Sequence, residues 1–530
     1  MATAAPRSHA VHTGLWSPCL AALASGSLLL TAGACRRTPA PPPEPVRLSV
    51  GFPDVGVSNR DTGINVLVAL LEDERLIRLT PEGRFEPALA ERWEMSPDGL
   101  AWRFFLRPGL TFQNGAPLDA QAVATRLRTS RANAARPGFR DVVSYDAQGP
   151  LEFTIRLRQP SHFILDALAL QTIRSPGATN NSAAGPFHIV SQDQASGQAR
   201  LAAFSGYYRG KPAIDEVDIR TYKGGRNAWS ALMRGEIDFL FEVTPDAIDF
   251  VQGSSATQVR SYIRNYVYTL GFNMKHPVLR DRAVRVALNR AINRDQIVKE
   301  QFGGRALPAA GMLWPKHWAY DPGLASFGYA PTEAARMLDN AGLRVKPAAA
   351  GQMPSRFRFT CLLPAGDPRY ERMGLMLQRQ LIELGIDMQL EAVATNTLVG
   401  RLGSGQYEAF LFEVLSHDLD WVDTFWHSPE EGAAALINSG YRAADAALDR
   451  LRVARSDDEA RAAVADLERA MRDDPPAVPL CWSEISRAVS GRFRLPEVKD
   501  RDIWLTMWQW QPVPGRSAAG PAALFAPPVH

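Results

Sequence analysis

The stretch from Arg356 to Leu390 constrains the fold more than any other part of the chain. Arg356–Leu363 brings Phe357, Phe359, Cys361 and Leu363 to alternate positions, the period-two pattern of a strand. Asp367-Pro368 then supplies an N-cap followed by proline at the first helical position, where its missing N–H is not needed. Met373, Leu377, Leu381 and Leu384 recur on one helical face, Gly385 stops the helix, and Ile386, Met388 and Leu390 alternate again. A strand, a helix and a second strand joined this tightly form a right-handed crossover with parallel strands. The unit places the chain among α/β folds. It sets the loop Pro364–Asp367 at the carboxyl edge of the sheet, where open α/β sheets take ligands.

The flanking sequence adds elements of other kinds. Val46–Phe52 alternates as a strand, and Ser96-Pro97-Asp98-Gly99 is a type I turn between strand-like Trp93–Met95 and Ala101–Arg107. A second hairpin is expected from Val142–Tyr145 and Leu151–Leu157. Between them Asp119 caps a short helix with Ala120, Val123 and Leu127 on one side. Val284, Leu288 and Ala291 mark another helix; Thr332 is expected to cap, and Gly342 to end, the next. Ser456-Asp457-Asp458-Glu459 is a capping box ahead of a helix that turns Ala460, Ala463, Val464, Leu467 and Met471 inward. Val478, Leu480 and Trp482 then alternate as a strand. A chain of 530 residues has room for two large lobes.

The first 45 residues read as export and tethering signals. An apolar stretch from Leu15 to Ala34 ends in Ala32-Gly33-Ala34-Cys35, so residues 1–34 are expected to be a cleaved signal peptide. The same segment resembles a bacterial lipobox, with Ala32 where leucine is usual, and predicts lipidation of Cys35. Residues 35–45 follow as a stiff proline-rich linker. The expected location is the periplasm or cell surface, anchored to the membrane as a lipoprotein. Cys361 and Cys481 lie in apolar runs and are expected as free buried thiols.

Charge and motifs narrow the function classes. With 59 basic and 56 acidic residues there is no electrostatic footprint for nucleic acid. No phosphate-cradling glycine loop, nucleophile elbow or paired-cysteine motif occurs. The one acidic cluster is His417-Asp418-Leu419-Asp420-Trp421-Val422-Asp423. Its carboxylates could receive a ligand ammonium group, hold a metal beside His417, or face solvent in a polar loop. The enzymatic alternative is a metal-dependent hydrolase using His417, Asp418 and Asp420. No nucleophile–base pair or closed ligand set accompanies them, so neither an enzyme nor a cofactor is expected.

An ordered set of motifs points further. Leu76–Gly83, Pro87-Ala88-Leu89-Ala90-Glu91-Arg92-Trp93, Ser96–Trp102 and Leu106–Leu118 are followed by Gly185-Pro186-Phe187 and Tyr207-Tyr208-Arg209-Gly210-Lys211-Pro212. Gly235-Glu236-Ile237-Asp238, Gly271-Phe272-Asn273, Val284–Arg294, Asn438-Ser439-Gly440-Tyr441 and Pro475–Leu480 complete it. Over residues 46–512 this set resembles the family 5 extracellular solute-binding proteins, the oligopeptide, dipeptide and nickel-type binding proteins of ABC importers. The resemblance implies a two-lobed periplasmic-binding-protein fold of the α/β class, with mixed sheets, hinge strands and an extra subdomain in lobe I. The implied boundaries are 46–270 for lobe I with its subdomain at about 90–180, 271–477 for lobe II, and 478–512 for the return to lobe I. A disordered tail over 513–530 follows.

The same resemblance implies capture of a small solute, an oligopeptide first, and delivery to permease and ATPase subunits by a monomer. A nickel chelate, haem or an oligosaccharide is the alternative cargo. Counting back from Phe425, Asp418 takes the position of the aspartate that meets the ligand amine; counting forward from Gln406-Tyr407, His417 takes it. Asp420, Trp421, Asn273 and Ser58 complete the implied ligand-binding set. Two tryptophans common in the peptide binders are replaced, near Thr395-Asn396-Thr397 and by Val414-Leu415-Ser416.

Overall fold

Two long strands, Thr257–Phe272 and Ala477–Ser490, organise the molecule. They pair antiparallel along most of their length, with register breaks between Ile263 and Val267 and between Tyr268 and Thr269. The computed structural model describes residues 44–55, 62–130, 136–177, 182–323, 327–347, 353–429 and 435–515. Around the two long strands lies a mixed eleven-stranded sheet. On one side stand Ala409–Leu415, Phe357–Pro364 and Ile386–Val393; on the other stand Phe239–Leu240, Arg47–Pro53, Glu216–Tyr222, Gln198–Ala203 and Phe187–Asp193. Each side has its own core. Leu48, Val50, Phe52, Ile219 and Trp504 pack in lobe I, and Leu270, Leu288, Phe359, Leu377 and Met388 in lobe II. The architecture is therefore two α/β lobes joined by paired strands, and the expected boundaries at 270/271 and 477/478 fall within those strands.

Local sequence accounts for the elements. Phe357–Pro364 and Ile386–Val393 pair in parallel from Phe357 opposite Ile386 to Pro364 opposite Val393. The crossover helix Pro368–Ile382 is capped by Asp367, whose Oδ1 accepts the Arg369 N–H at 2.9 Å, and buries Met373, Leu377 and Leu381. Gly385 ends the turn at φ 72°, a left-handed conformation that glycine adopts without steric penalty. The lobe I subdomain is a four-stranded antiparallel sheet, Ala90–Met95, Ala101–Leu106, Glu152–Leu157 and Val142–Ala147 in that order. Phe104 and Phe153 stack on it with ring centroids 5.2 Å apart. The helix Ala120–Thr129 covers it, capped by Asp119 through the Ala122 N–H.

Two expected caps differ. The helix Pro331–Asn340 begins before Thr332, because Pro331 occupies the first helical position, and its N-cap Ala330 offers no side-chain bond. At the helix Asp457–Asp473, Ser456 accepts the Glu459 N–H at 3.2 Å as expected. Glu459, however, reaches back to the Arg455 N–H at 2.7 Å instead of that of Ser456. Cys361 and Cys481 are free and buried. Among the described residues no helix is long and apolar enough to cross a membrane. The expected signal peptide, Cys35, Ser58 and most of the tail lie outside the described residues.

Candidate functional site

A cavity of about 480 Å³ opens where the lobes meet. Its floor is the pairing of Tyr266 on one hinge strand with Leu415 on the neighbouring strand of lobe II. Lobe II adds Phe412 and Val414, Val399 and Leu402 from the helix Thr395–Ser404, and Trp421 and Phe425 from the helix Leu419–Trp426. The lobe I subdomain closes the far side with Arg136 and Leu170.

Direct bonds cross from lobe to lobe. Trp314 Nε1 donates to the Pro81 carbonyl at 2.9 Å, the Trp318 N–H to that of Glu82 at 2.8 Å, and the His162 N–H to that of Arg452 at 2.6 Å. Arg369 pairs with Glu242 at 3.4 Å, and Arg84 with Asp457 at 2.6 Å. The lobes are closed on each other in this structure.

The acidic cluster takes part in that contact, and it is no solvated loop. Asp418 is fully buried as the N-cap of Leu419–Trp426, its Oδ1 accepting the Trp421 N–H at 3.0 Å. Its Oδ2 has no hydrogen-bond partner. Asp420, also fully buried, spends its carboxylate on lobe I. Its Oδ2 accepts from Arg136, at 2.8 Å from Nε, and its Oδ1 accepts the Gly138 N–H at 2.6 Å. Buried Asp166, on the lobe I helix Ile164–Leu170, accepts the Leu419 N–H. Three buried carboxylates thus share the guanidinium of Arg136, with Arg140 acting more weakly on Asp420, and anionic charge there is unfavourable. Burial, reinforced by the charge of Asp420, pushes Asp418 up to about 7, and Asp166 is raised well above its ordinary range. Burial pulls His417 down to about 4, and its Nδ1 is also unpartnered.

Of the residues singled out by sequence, His417, Asp418, Asp420 and Trp421 come together here, but only Trp421 lines the cavity. Asp418 is not itself a lining residue, but it lies close enough for its charge to help raise the phenol pKa of Tyr266. Both oxygens of Asp420 are engaged by lobe I. Asn273 does not join them. It follows the last residue of the hinge strand, seven residues from Tyr266 and so roughly 20 Å away. There its amide donates to the carbonyls of Gly405 at 3.0 Å and Tyr407 at 2.7 Å, and its Oδ1 accepts the Lys275 N–H. Asn273 is therefore a clasp within lobe II, with its amide and carbonyl already bonded to the chain, and it stands apart from the other residues singled out.

Sequence reasoning missed Arg136, Tyr266, Glu413 and the apolar lining. The four-residue spacing of Trp421 and Phe425 was a readable sign of a shared helical face. So was the lone charge Glu413 inside Phe410–Leu415. Arg136 carries no local signal.

Comparison with known proteins agrees with this geometry. The family model for bacterial extracellular solute-binding proteins, family 5, matches residues 84–432. A probable di/tripeptide-binding protein 5 of Pseudomonas aeruginosa is 26% identical over 413 residues, covering 70% of this chain and 76% of that protein. The glutathione-binding protein GsiB of Escherichia coli K12 is 24% identical over 392 residues, 69% and 74% of the two chains. Among solved structures, NikA from Brucella suis in complex with Fe(III)-EDTA superposes with a TM-score of 0.74 at 20% identity, over 88% of this chain and 100% of that one. The oligopeptide-binding protein AppA from Bacillus subtilis, in complex with a nonapeptide, gives 0.73 at 18%, over 89% and 100%. The paired hinge strands, the closed cleft and the matched span agree, and the chain belongs to the bacterial extracellular solute-binding proteins of family 5.

Proposed function

We propose that this chain captures a short peptide between its lobes for an ABC importer, with Asp418 receiving the peptide's ammonium group. The observation that carries the reading is the buried, unpartnered Oδ2 of Asp418 beside an interlobe cavity. A carboxylate oxygen held there without a proton donor is unfavourable, and an arriving ammonium group supplies the missing partner. The named functions of the Pseudomonas and Escherichia relatives, di/tripeptide and glutathione binding, favour the same cargo. Capture works as a population shift: a solute that touches both lobes favours the closed state, and no bond is made or broken.

Calorimetry on four combinations tests the assignment: wild type and Asp418→Asn, each with the dipeptide Leu-Phe and its N-acetylated form. Asparagine keeps the shape and removes the charge. Affinity for the free-amine peptide should fall about ten- to a few hundred-fold in the variant. Acetylation should weaken the wild type by a similar factor and the variant by little more. Independent, additive losses would show that Asp418 and the amine do not meet.

The proposal extends to the N-terminus, where export through residues 1–34 and lipid on Cys35 would hold the protein at a membrane surface. In fractionated cells the wild type should sediment with membranes and Cys35→Ala should be soluble. A wild type already soluble would end the lipoprotein reading.

A further inference from the structure

The charges that line the cavity are already spent. Among its described lining residues only Arg136 and Glu413 are charged. Arg136 is committed to Asp420. Both oxygens of Glu413 accept from Arg264 Nη1 at 3.1 Å, and that guanidinium lies over the Tyr266 ring, 4.4 Å from its centroid. A charged solute group entering this space would lose its water and find no free counter-charge among the described lining residues.

Apart from the Tyr266 phenol, the rest of the lining is apolar. Trp421 and Phe425 stand one helical turn apart with ring centroids 5.5 Å from each other. Phe412, Leu402, Leu436 and Ile437 complete the chamber. Val399, on its rim, is 38% exposed. Apolar surface gathered in a recess of this size gains from being covered by an apolar solute.

We infer that the solute presents bulky apolar side chains to this chamber and no charged group: the ligand class is a short peptide with leucine-, valine- or phenylalanine-like side chains. This deepens the peptide-capture reading above and rests on it. The ammonium reaches Asp418 outside the chamber, so the two requirements do not conflict.

The test is calorimetry on the full mature chain with Leu-Phe, Ser-Gly, Asp-Ser, reduced glutathione and nickel(II)–histidine as probes. Burying one large apolar side chain is worth a factor of about 10 to 150, so Leu-Phe should bind at least tenfold more tightly than any other probe. Val399→Asp, a rim substitution, should remove most of that advantage while leaving the melting temperature unchanged. Ser-Gly or Asp-Ser binding as tightly as Leu-Phe would overturn the apolar chamber and leave peptide capture standing. Undiminished Leu-Phe binding by Val399→Asp would also overturn it. Binding of nickel(II)–histidine alone, or of no probe, would overturn peptide capture and this inference together.

Discussion

Asp418 serves two demands that oppose each other. As an N-cap it lends one oxygen to the Trp421 N–H, while its other oxygen is held without a partner among carboxylates. Burial first, and then Asp420, raises its pKa to about 7; burial alone is the main reason that Glu468 rises to about 8. In such groups the native state keeps a proton that the unfolded chain has released, so stability falls as pH rises towards the folded value. His162 and His417 at about 4 and His317 at about 3 act with the other sign. They stay neutral in the fold while the unfolded chain protonates below about 6.5, so they favour folding as pH rises from about 4 to 6.5. Below pH 6.5 the two sets oppose; above it only the acids titrate. The melting temperature should therefore decline between pH 6.5 and 8.5, and Glu468→Gln should flatten the slope. A flat or rising wild-type curve over that window would mean these acids are ionised in the fold.

Elements were the most legible scale. The crossover from Phe357 to Val393, with its cap at Asp367 and its stop at Gly385, follows from period and punctuation alone. So do the five buried positions of the helix Asp457–Asp473. Where a reading failed, a neighbouring rule prevailed: Pro331 fixed a helix start that Thr332 was expected to cap. The Ser456 cap is local enough to test by itself. Ser456→Ala should weaken the helix Asp457–Asp473 by about 1 kcal/mol, and Ser456→Asp should restore it. Hydrogen exchange of the first-turn amides reads this directly. Equal protection in wild type and Ser456→Ala would show that the Glu459 return bond holds the helix start without the cap.

At the scale of the whole molecule, the sequence by itself determined many of the strands and helices, the caps Asp119, Asp367 and Ser456, the parallel crossover, and the ordered motifs of the family. These depend on residues within a turn or a strand of one another, where periodicity and capping act. It also singled out Asp418 and Trp421. Only the tertiary structure decided what surrounds them. Asp420 is consumed by Arg136, 284 residues away, and Glu413 by Arg264, 149 residues away. Asn273, next to a family motif, is used up by carbonyls 132 and 134 residues on. The neutral, apolar character of the chamber is likewise a property of the closed lobes. Hydrogen bonds and ion pairs are short-ranged, so a polar side chain's role is fixed by which distant partner folding brings within about 3 Å, and no local pattern encodes that choice.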